Sequence, residues 1–429
     1  MSLNKYGFNL NKPVPLLFLG DGPDQHTGLA RIGRDLAFLA SSMPEFRVGY
    51  LGRDAFGSNK FPWTQYSFHH TEQWGEWKLQ RAFHDFVGEQ ADKAVIMTVW
   101  DASRLLWFAR PEYGLPQSLS RFLQSGRFER WGYFMVDGEG VEQGRLPGEQ
   151  AEVLAGYDRA LLASEWGYEL AKGSPALADR ADRAEDRRRL DWLPHPINGD
   201  RFYWDANSSD AKALVRVSMG VAPGEYLIGC VMTNQARKHW PTVLDAIAIL
   251  KQKSMVPIKL WLHTDIEMRY WNIPALLVEY GLEDDVVGSS NVPLSDSVMA
   301  ARYRACDVTA LCSGGEGFGY PVAESLAVGT PVIAGGYGAH CELMQRAGQD
   351  LILVNPVITT VDTIHNVRRG VFNPGDFAQA LAAELYGKHS ADRGEKLAKA
   401  VEHLHMMRLG KMWKRWLLDG INGSDRGRR

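Results

Sequence analysis

The chain has 429 residues, 45% of them hydrophobic and 23% charged, with a formal net charge of −3. That is the profile of a soluble globular protein with room for two or three domains, and the balance gives no overall signal for nucleic acid, although a local basic face stays open. No run approaches the roughly 18–20 apolar residues of a membrane span, "VPLLFLG" lacks the flanks of a leader peptide, and four cysteines (Cys230, Cys306, Cys312, Cys341) without metal-type spacing imply reduced thiols and a cytoplasmic protein.

Short apolar runs alternate with amphipathic stretches. Residues 15–20, 47–52, 93–100, 130–137 and 159–164 predict strands, and 28–42 predicts the first helix. The segment 174–200 is charged and ends in the turn chemistry of "PHPING". A second series then begins, with strands over 225–232, 258–265, 308–313 and 330–335 and helices over 240–253, 271–281, 298–307 and 374–387. Alternation of this kind predicts parallel sheets covered on both faces. The expected fold class is therefore α/β, with two Rossmann-like domains facing across a cleft. The expected divisions are 1–195, 196–405 and a terminal helix with a polar tail over 406–429. In open sheets of this type, ligands bind beyond the carboxyl ends of the strands.

The chemistry concentrates in "SGGEGFGYPVAESLAVGTPVIAGGYGAHCE", residues 313–342. A strand ends at Ser313, glycines interleaved with Glu316 and Phe318 form a loop, and Pro321 marks the helix that follows. Backbone N–H groups at such a helix start favour an anion. A dinucleotide fingerprint would need a glycine where Val322 stands, and no Gly-Lys-Ser/Thr follows for a Walker loop. Glu316 and Glu324 fit beside an anion if they accept hydrogen bonds from sugar hydroxyls. The countercharge is expected from Arg237 and Lys238 in "NQARKHW", at another strand's carboxyl end. The bland alternative is a tight turn with two surface glutamates and a surface basic pair.

The stretch "EGFGYPVAESLAVGTPVIAGG…E" resembles the signature of family-4-type GT-B glycosyltransferases (glycosyl transferases group 1). "LLASEWGYELA", "LPHPINGDRFYW", "NQARKHWPTVLDAIAIL" and "LGKMWKRWLLDGI" resemble further segments of that family. The resemblance implies a GT-B fold whose last helix crosses back to the first domain. It implies transfer of a sugar from a UDP- or GDP-sugar, with retention of configuration. By this resemblance Arg237 and Lys238 hold the diphosphate, and Glu316 contacts the transferred sugar. Gly317, Phe318 and Gly319 line the sugar and distal phosphate, Glu324 binds the ribose, and Gly28 lets a first-domain loop approach the phosphates. Glu342 matches a later family glutamate. No cofactor is implied, and the chain has no Asp-x-Asp pair to hold a divalent cation, so metal independence is expected.

The acceptor half is less legible. Asp101 and Asp137, each after an apolar run, could orient or deprotonate an acceptor hydroxyl, or serve as turn formers. His26 beside Gly28 is a further candidate, and His195 is expected to be structural. "SFHHTEQWGEW" (67–77) is a candidate acceptor loop, and the tryptophans of the first third offer faces suited to sugars and bases alike. Two acceptor classes stay open: a glycan, lipid-linked sugar or small hydroxyl compound, and a hydroxymethylated base in DNA, as for phage-type enzymes. The basic runs "RADRAEDRRR", "RRGVF" and "SDRGRR" motivate the second. A nucleotide-sugar-binding scaffold without turnover is the non-enzymatic alternative.

Overall fold

A computed structural model describes residues 3–56, 60–88, 93–112, 114–178, 189–253, 257–266, 270–290, 293–348, 352–363 and 366–422. The chain divides into two compact units, one of Met1–His195 with Ile364–Asn366 and Leu409–Arg429, the other of Pro196–Thr363 with Val367–Arg408. The basic runs at 180–188 and 424–429 lie outside the described residues.

The first unit is built on seven parallel strands: β1 (Val14–Asp21), β2 (Phe46–Arg53), β3 (Thr64–Phe68), β4 (Ala94–Val99), β5 (Phe128–Phe134), β6 (Arg159–Leu162) and β7 (Arg189–Trp192). Their order is β3-β2-β1-β4-β5-β6-β7. β1 is central, and all eight of its residues are buried, as expected of a parallel strand covered on both faces. Helix Gly28–Ser41 follows it closely because Gly33 leaves room for Tyr50, whose hydroxyl would lie 2.2 Å from a Cβ at that position. That hydroxyl donates to the Asp21 carbonyl at 3.0 Å.

The final helix, Met406–Asn422, supplies its later turns to this unit. Trp413 meets Tyr133 edge-on at 4.8 Å. Arg159 donates to the Trp416 carbonyl at 2.9 Å, and its guanidinium lies 4.1 Å from the Trp416 ring. The terminal helix is thus held by an aromatic and cation–π contact that a charge-only account of its Lys/Arg face would miss.

His195 sits under this layer, with Nδ1 2.7 Å from the Tyr133 hydroxyl. Burial, then the charge of Arg31, lowers its pKa to about 3. An unfolded imidazole takes a proton near the usual value of ~6.5, whereas the folded one resists until about 3. The unfolded state binds more protons between those limits, so stability falls as pH drops through that window. We expect a loss of about 3–5 kcal/mol from this group between pH ~6.5 and ~3. Thermal unfolding at stepped pH checks it: His195→Gln should flatten the acid limb, and an unchanged limb would contradict the assignment.

The second unit has six parallel strands, β8 (Tyr226–Val231), β9 (Ile258–His263), β10 (Val286–Ser290), β11 (Val308–Leu311), β12 (Val332–Gly335) and β13 (Ile352–Val354). Their order is β10-β9-β8-β11-β12-β13. A hairpin of β14 (Ile358–Val361) and β15 (Arg368–Val371) stands apart from that sheet. The "RRGVF" run begins as its second strand. Arg369 there is buried, and its Nε donates to Asp362 at 3.0 Å. Among the described residues no helix is long and apolar enough to cross a membrane. The four cysteines are free thiols, and Cys230, Cys306 and Cys312 are buried.

Candidate functional site

In the second unit β11 ends at Leu311, and the chain turns through Ser313 into the glycine loop. Ser313 Oγ donates to the Gly315 carbonyl at 2.9 Å, which closes the turn. Residues 313–319 are all buried. The helix runs Tyr320–Ala327, so Pro321 is inside its first turn rather than its first residue. Gly319 caps it at φ 94°, ψ 59°, a left-handed backbone that favours glycine. A Cβ there would also meet the His340 Cβ at 2.6 Å.

The segment carrying Arg237 and Lys238 is laced to this loop by backbone bonds. Gly314 N–H donates to the Arg237 carbonyl at 2.7 Å, and His239 N–H to the Cys312 carbonyl at 2.9 Å. Asn234 pins the start of the segment. Its Nδ2 donates to the Trp271 carbonyl at 2.9 Å, and its Oδ1 accepts from Trp271 N–H at 3.0 Å. Trp271 Nε1 donates to the Gln235 carbonyl at 3.0 Å. From the other side, Gly370 of the hairpin donates to the Gly314 carbonyl at 3.0 Å. The loop is therefore held by two other segments, one of them pinned in turn by Trp271, rather than left to its own flexibility.

The charges follow from that placement. Lys238 and Glu316, both nearly fully buried, form an ion pair between Nζ and Oε1. Arg237 is half-buried, and its Nη1 donates to Gln235 Oε1 at 2.7 Å. Burial alone would raise the Glu316 pKa, but Lys238, then Arg237 and His340, outweigh it and lower it to about 2. Glu316 is thus a permanent carboxylate. His340 is fully buried and its Nε2 donates to the Gly335 carbonyl at 2.7 Å. Burial holds its pKa below the ordinary value, against the pull of Glu316 and of that hydrogen bond. Glu324 is buried on the helix behind the loop, and Glu342 is half-buried in the first turn of helix Cys341–Arg346.

The structure brings Arg237, Lys238, Glu316, Gly317, Phe318, Gly319 and Glu324 into one unit around one loop. It adds Asn234, Trp271, Ser313 and His340 as residues that hold the arrangement. Sequence reading missed these four because each acts through backbone groups. His340 alone had a usable signal, an ionisable residue inside an otherwise small-residue stretch.

The remaining candidates belong to the first unit. Gly28 is the exposed first residue of its helix, preceded by exposed His26 and by the N-cap Thr27, whose Oγ1 accepts from Ala30 N–H at 3.0 Å. Thr27 Oγ1 donates in turn to Asp21 Oδ2 at 3.1 Å. Asp21 is buried, accepts from Trp100 Nε1 at 2.8 Å and lies 3.9 Å from Arg104. It was legible only as an aspartate ending an apolar strand before a glycine. Asp101 ends the β4 segment at the cap of a short turn, makes no capping bond there, and pairs with Arg104 at 3.3 Å. Asp137 is half-buried in the loop after β5.

Residues 225–385 match the family described as "Glycosyl transferases group 1". Apart from residues 364–366, the matched residues lie within the second unit. An MMP alpha-(1->4)-mannosyltransferase of Mycolicibacterium hassiacum is 38% identical over 81 residues, which is 19% of this chain and 19% of that relative. The match thus spans about a fifth of the length of that curated relative. Among solved structures, Anabaena HepE in complex with UDP and glucose is 15% identical with a TM-score of 0.64, covering 96% of this chain and all of that one. Sucrose-phosphate synthase from Thermosynechococcus elongatus is 18% identical with a TM-score of 0.67, at 96% and 100% coverage. The two parallel-sheet α/β units are the GT-B fold.

Proposed function

We propose that the chain is a glycosyltransferase that moves a sugar from a nucleoside-diphosphate donor to an acceptor hydroxyl. The observation that carries this is the buried Lys238–Glu316 pair seated in the glycine loop at the start of helix Tyr320–Ala327. A carboxylate kept ionised by two cations is a hydrogen-bond acceptor at any working pH. It suits sugar hydroxyls, while the N–H groups of Gly317 to Gly319 and the Arg237 guanidinium suit phosphate oxygens. Glu324 is assigned to the ribose hydroxyls. UDP-glucose is the first donor to test, since the Anabaena structure was solved with UDP and glucose.

Departure of the nucleoside diphosphate builds negative charge on the distal phosphate. Arg237 and Lys238 meet that charge in place, which is electrostatic stabilisation without reorganisation. The acceptor hydroxyl attacks the anomeric carbon from the face the leaving group vacates, so configuration is retained. The hydroxyl proton passes to a leaving phosphate oxygen. No step in this scheme needs a divalent cation.

Incubation with UDP-, GDP- and ADP-sugars, each with simple glycan acceptors or hydroxymethylated DNA, tests the proposal by nucleotide release and product mass. Release with a UDP-sugar and a mass gain of one hexosyl unit is expected. Tight nucleotide-sugar binding with no release from any pair would instead make the chain a binding scaffold.

A further inference from the structure

The first unit holds a cavity of about 450 Å³ whose lining combines aromatic and polar side chains. Its lining includes Trp74, Trp77 and Trp107 together with Gln73, Arg104 and Glu149. The volume falls within the range of ~300–1,000 Å³ typical of small-molecule sites. Gln73, Trp74 and Trp77 follow the carboxyl end of β3, Arg104 and Trp107 that of β4, and Glu149 comes after β5; open parallel sheets take their ligands at such ends. We propose that this cavity binds a neutral pyranose ring, the acceptor end of a carbohydrate. That the sugar is an acceptor rests on the glycosyltransferase function proposed above; the sugar binding does not.

The aromatic wall is rigid before any ligand arrives. The Trp74 ring is held by the guanidiniums of Arg53 at 4.5 Å and Arg104 at 4.8 Å, and meets Trp100 edge-on at 5.7 Å. Its backbone N–H donates to Glu76 Oε2 at 2.9 Å. The residue before it, Gln73, has φ 56° and ψ −107°, a left-handed backbone in a residue that is not glycine. Strain of that kind costs about 1–3 kcal/mol and persists where the surroundings enforce it, often at ligand sites. Trp77 is 61% exposed, an indole kept in water at the cavity's edge. Flat aromatic faces beside amide, carboxylate and guanidinium groups match a pyranose, which has an apolar C–H face and a ring of hydroxyls.

The charges select against a nucleic acid. Arg104 is already engaged by Asp101 at 3.3 Å and approached by Asp21 at 3.9 Å. Glu76 and Glu149 are also among the lining residues, and their carboxylates repel a phosphodiester chain. Arg104 also ties the cavity to Asp101, the candidate for orienting the acceptor hydroxyl.

Saturation-transfer NMR tests this with the full chain, free of nucleotide. The probes are methyl α-D-glucopyranoside, methyl α-D-mannopyranoside and maltose at tens of millimolar, with a hydroxymethylcytosine oligonucleotide as a separate arm. Transfer to the ring protons of at least one sugar is expected, weakened about tenfold in Trp77→Ala. UDP-glucose affinity in the same variant checks that the chain is folded. Absence of transfer to all three sugars, transfer undiminished by Trp77→Ala, or oligonucleotide binding lost on that substitution would overturn the proposal. Sugar binding without any nucleotide-sugar binding would leave this site standing while removing the enzymatic function.

Discussion

Replacing Glu316 or Lys238 with alanine lowers turnover at least ~100-fold, equivalent to about 2.7 kcal/mol of barrier. Lys238 both meets charge on the departing phosphate and holds Glu316 ionised and in place. Glu316 in turn fixes the Lys238 ammonium against the loop. Each single variant also strips a buried charge of its counter-ion, a loss of about 3–5 kcal/mol of stability. Turnover therefore has to be separated from folding. The double variant Lys238→Met with Glu316→Leu removes both charges at once, and apolar replacement of a buried pair is often close to neutral. We expect its thermal midpoint to recover most of what either alanine variant loses, while turnover stays at the floor. Near-normal rates in both alanine variants would remove these residues from the reaction.

Gly338→Ala produces the second large effect, a fall in turnover of about 10–100-fold, or ~1.4–2.7 kcal/mol of barrier. Gly338 has φ +112°, and a Cβ there would stand 2.8 Å from the Glu316 backbone nitrogen and 3.2 Å from its carbonyl oxygen. Neither atom is the end of a flexible side chain, so the glycine loop itself must move. The next residue, Ala339, donates its N–H to the Glu316 carbonyl at 2.9 Å and carries that displacement into the loop. Gly348→Ala is the matched control, because Gly348 also has a positive φ, +85°, but faces open space. It should cost about 1 kcal/mol of stability and leave turnover unchanged. Steady-state kinetics and thermal unfolding of the two variants read both effects. Equal turnover in the two would show that Glu316 tolerates movement of its backbone.

How much of this was legible in the sequence depended on burial. Central strands such as β1 and β4 are buried along their whole length and apolar at nearly every position, and they stand out as strands. β3 (TQYSF) and β7 (RLDW) were missed because an edge strand mixes polar and apolar residues over a short run. β10 and β13 were missed for the same reason of edge position and brevity. In the candidate site, residue types and spacing singled out Arg237, Lys238, Glu316 and Glu324. They could not show that Lys238 and Glu316 pair with each other, because that contact joins residues 78 positions apart. Nor could they show the roles of Asn234 and Trp271, which act through backbone carbonyls and amides. Among the candidates of the first unit, only the tryptophans acquired a clear context, once folding gathered Trp74, Trp77 and Trp107 around one cavity.

Isothermal titration of UDP-glucose into the native chain, Arg237→Ala and Glu324→Ala tests the central claim most directly. Saturable binding to the native chain is expected, weakened at least about tenfold, ~1.4 kcal/mol, in each variant. Equal affinity in all three proteins, or no binding to the native chain, would contradict a nucleotide-sugar site in the glycine loop.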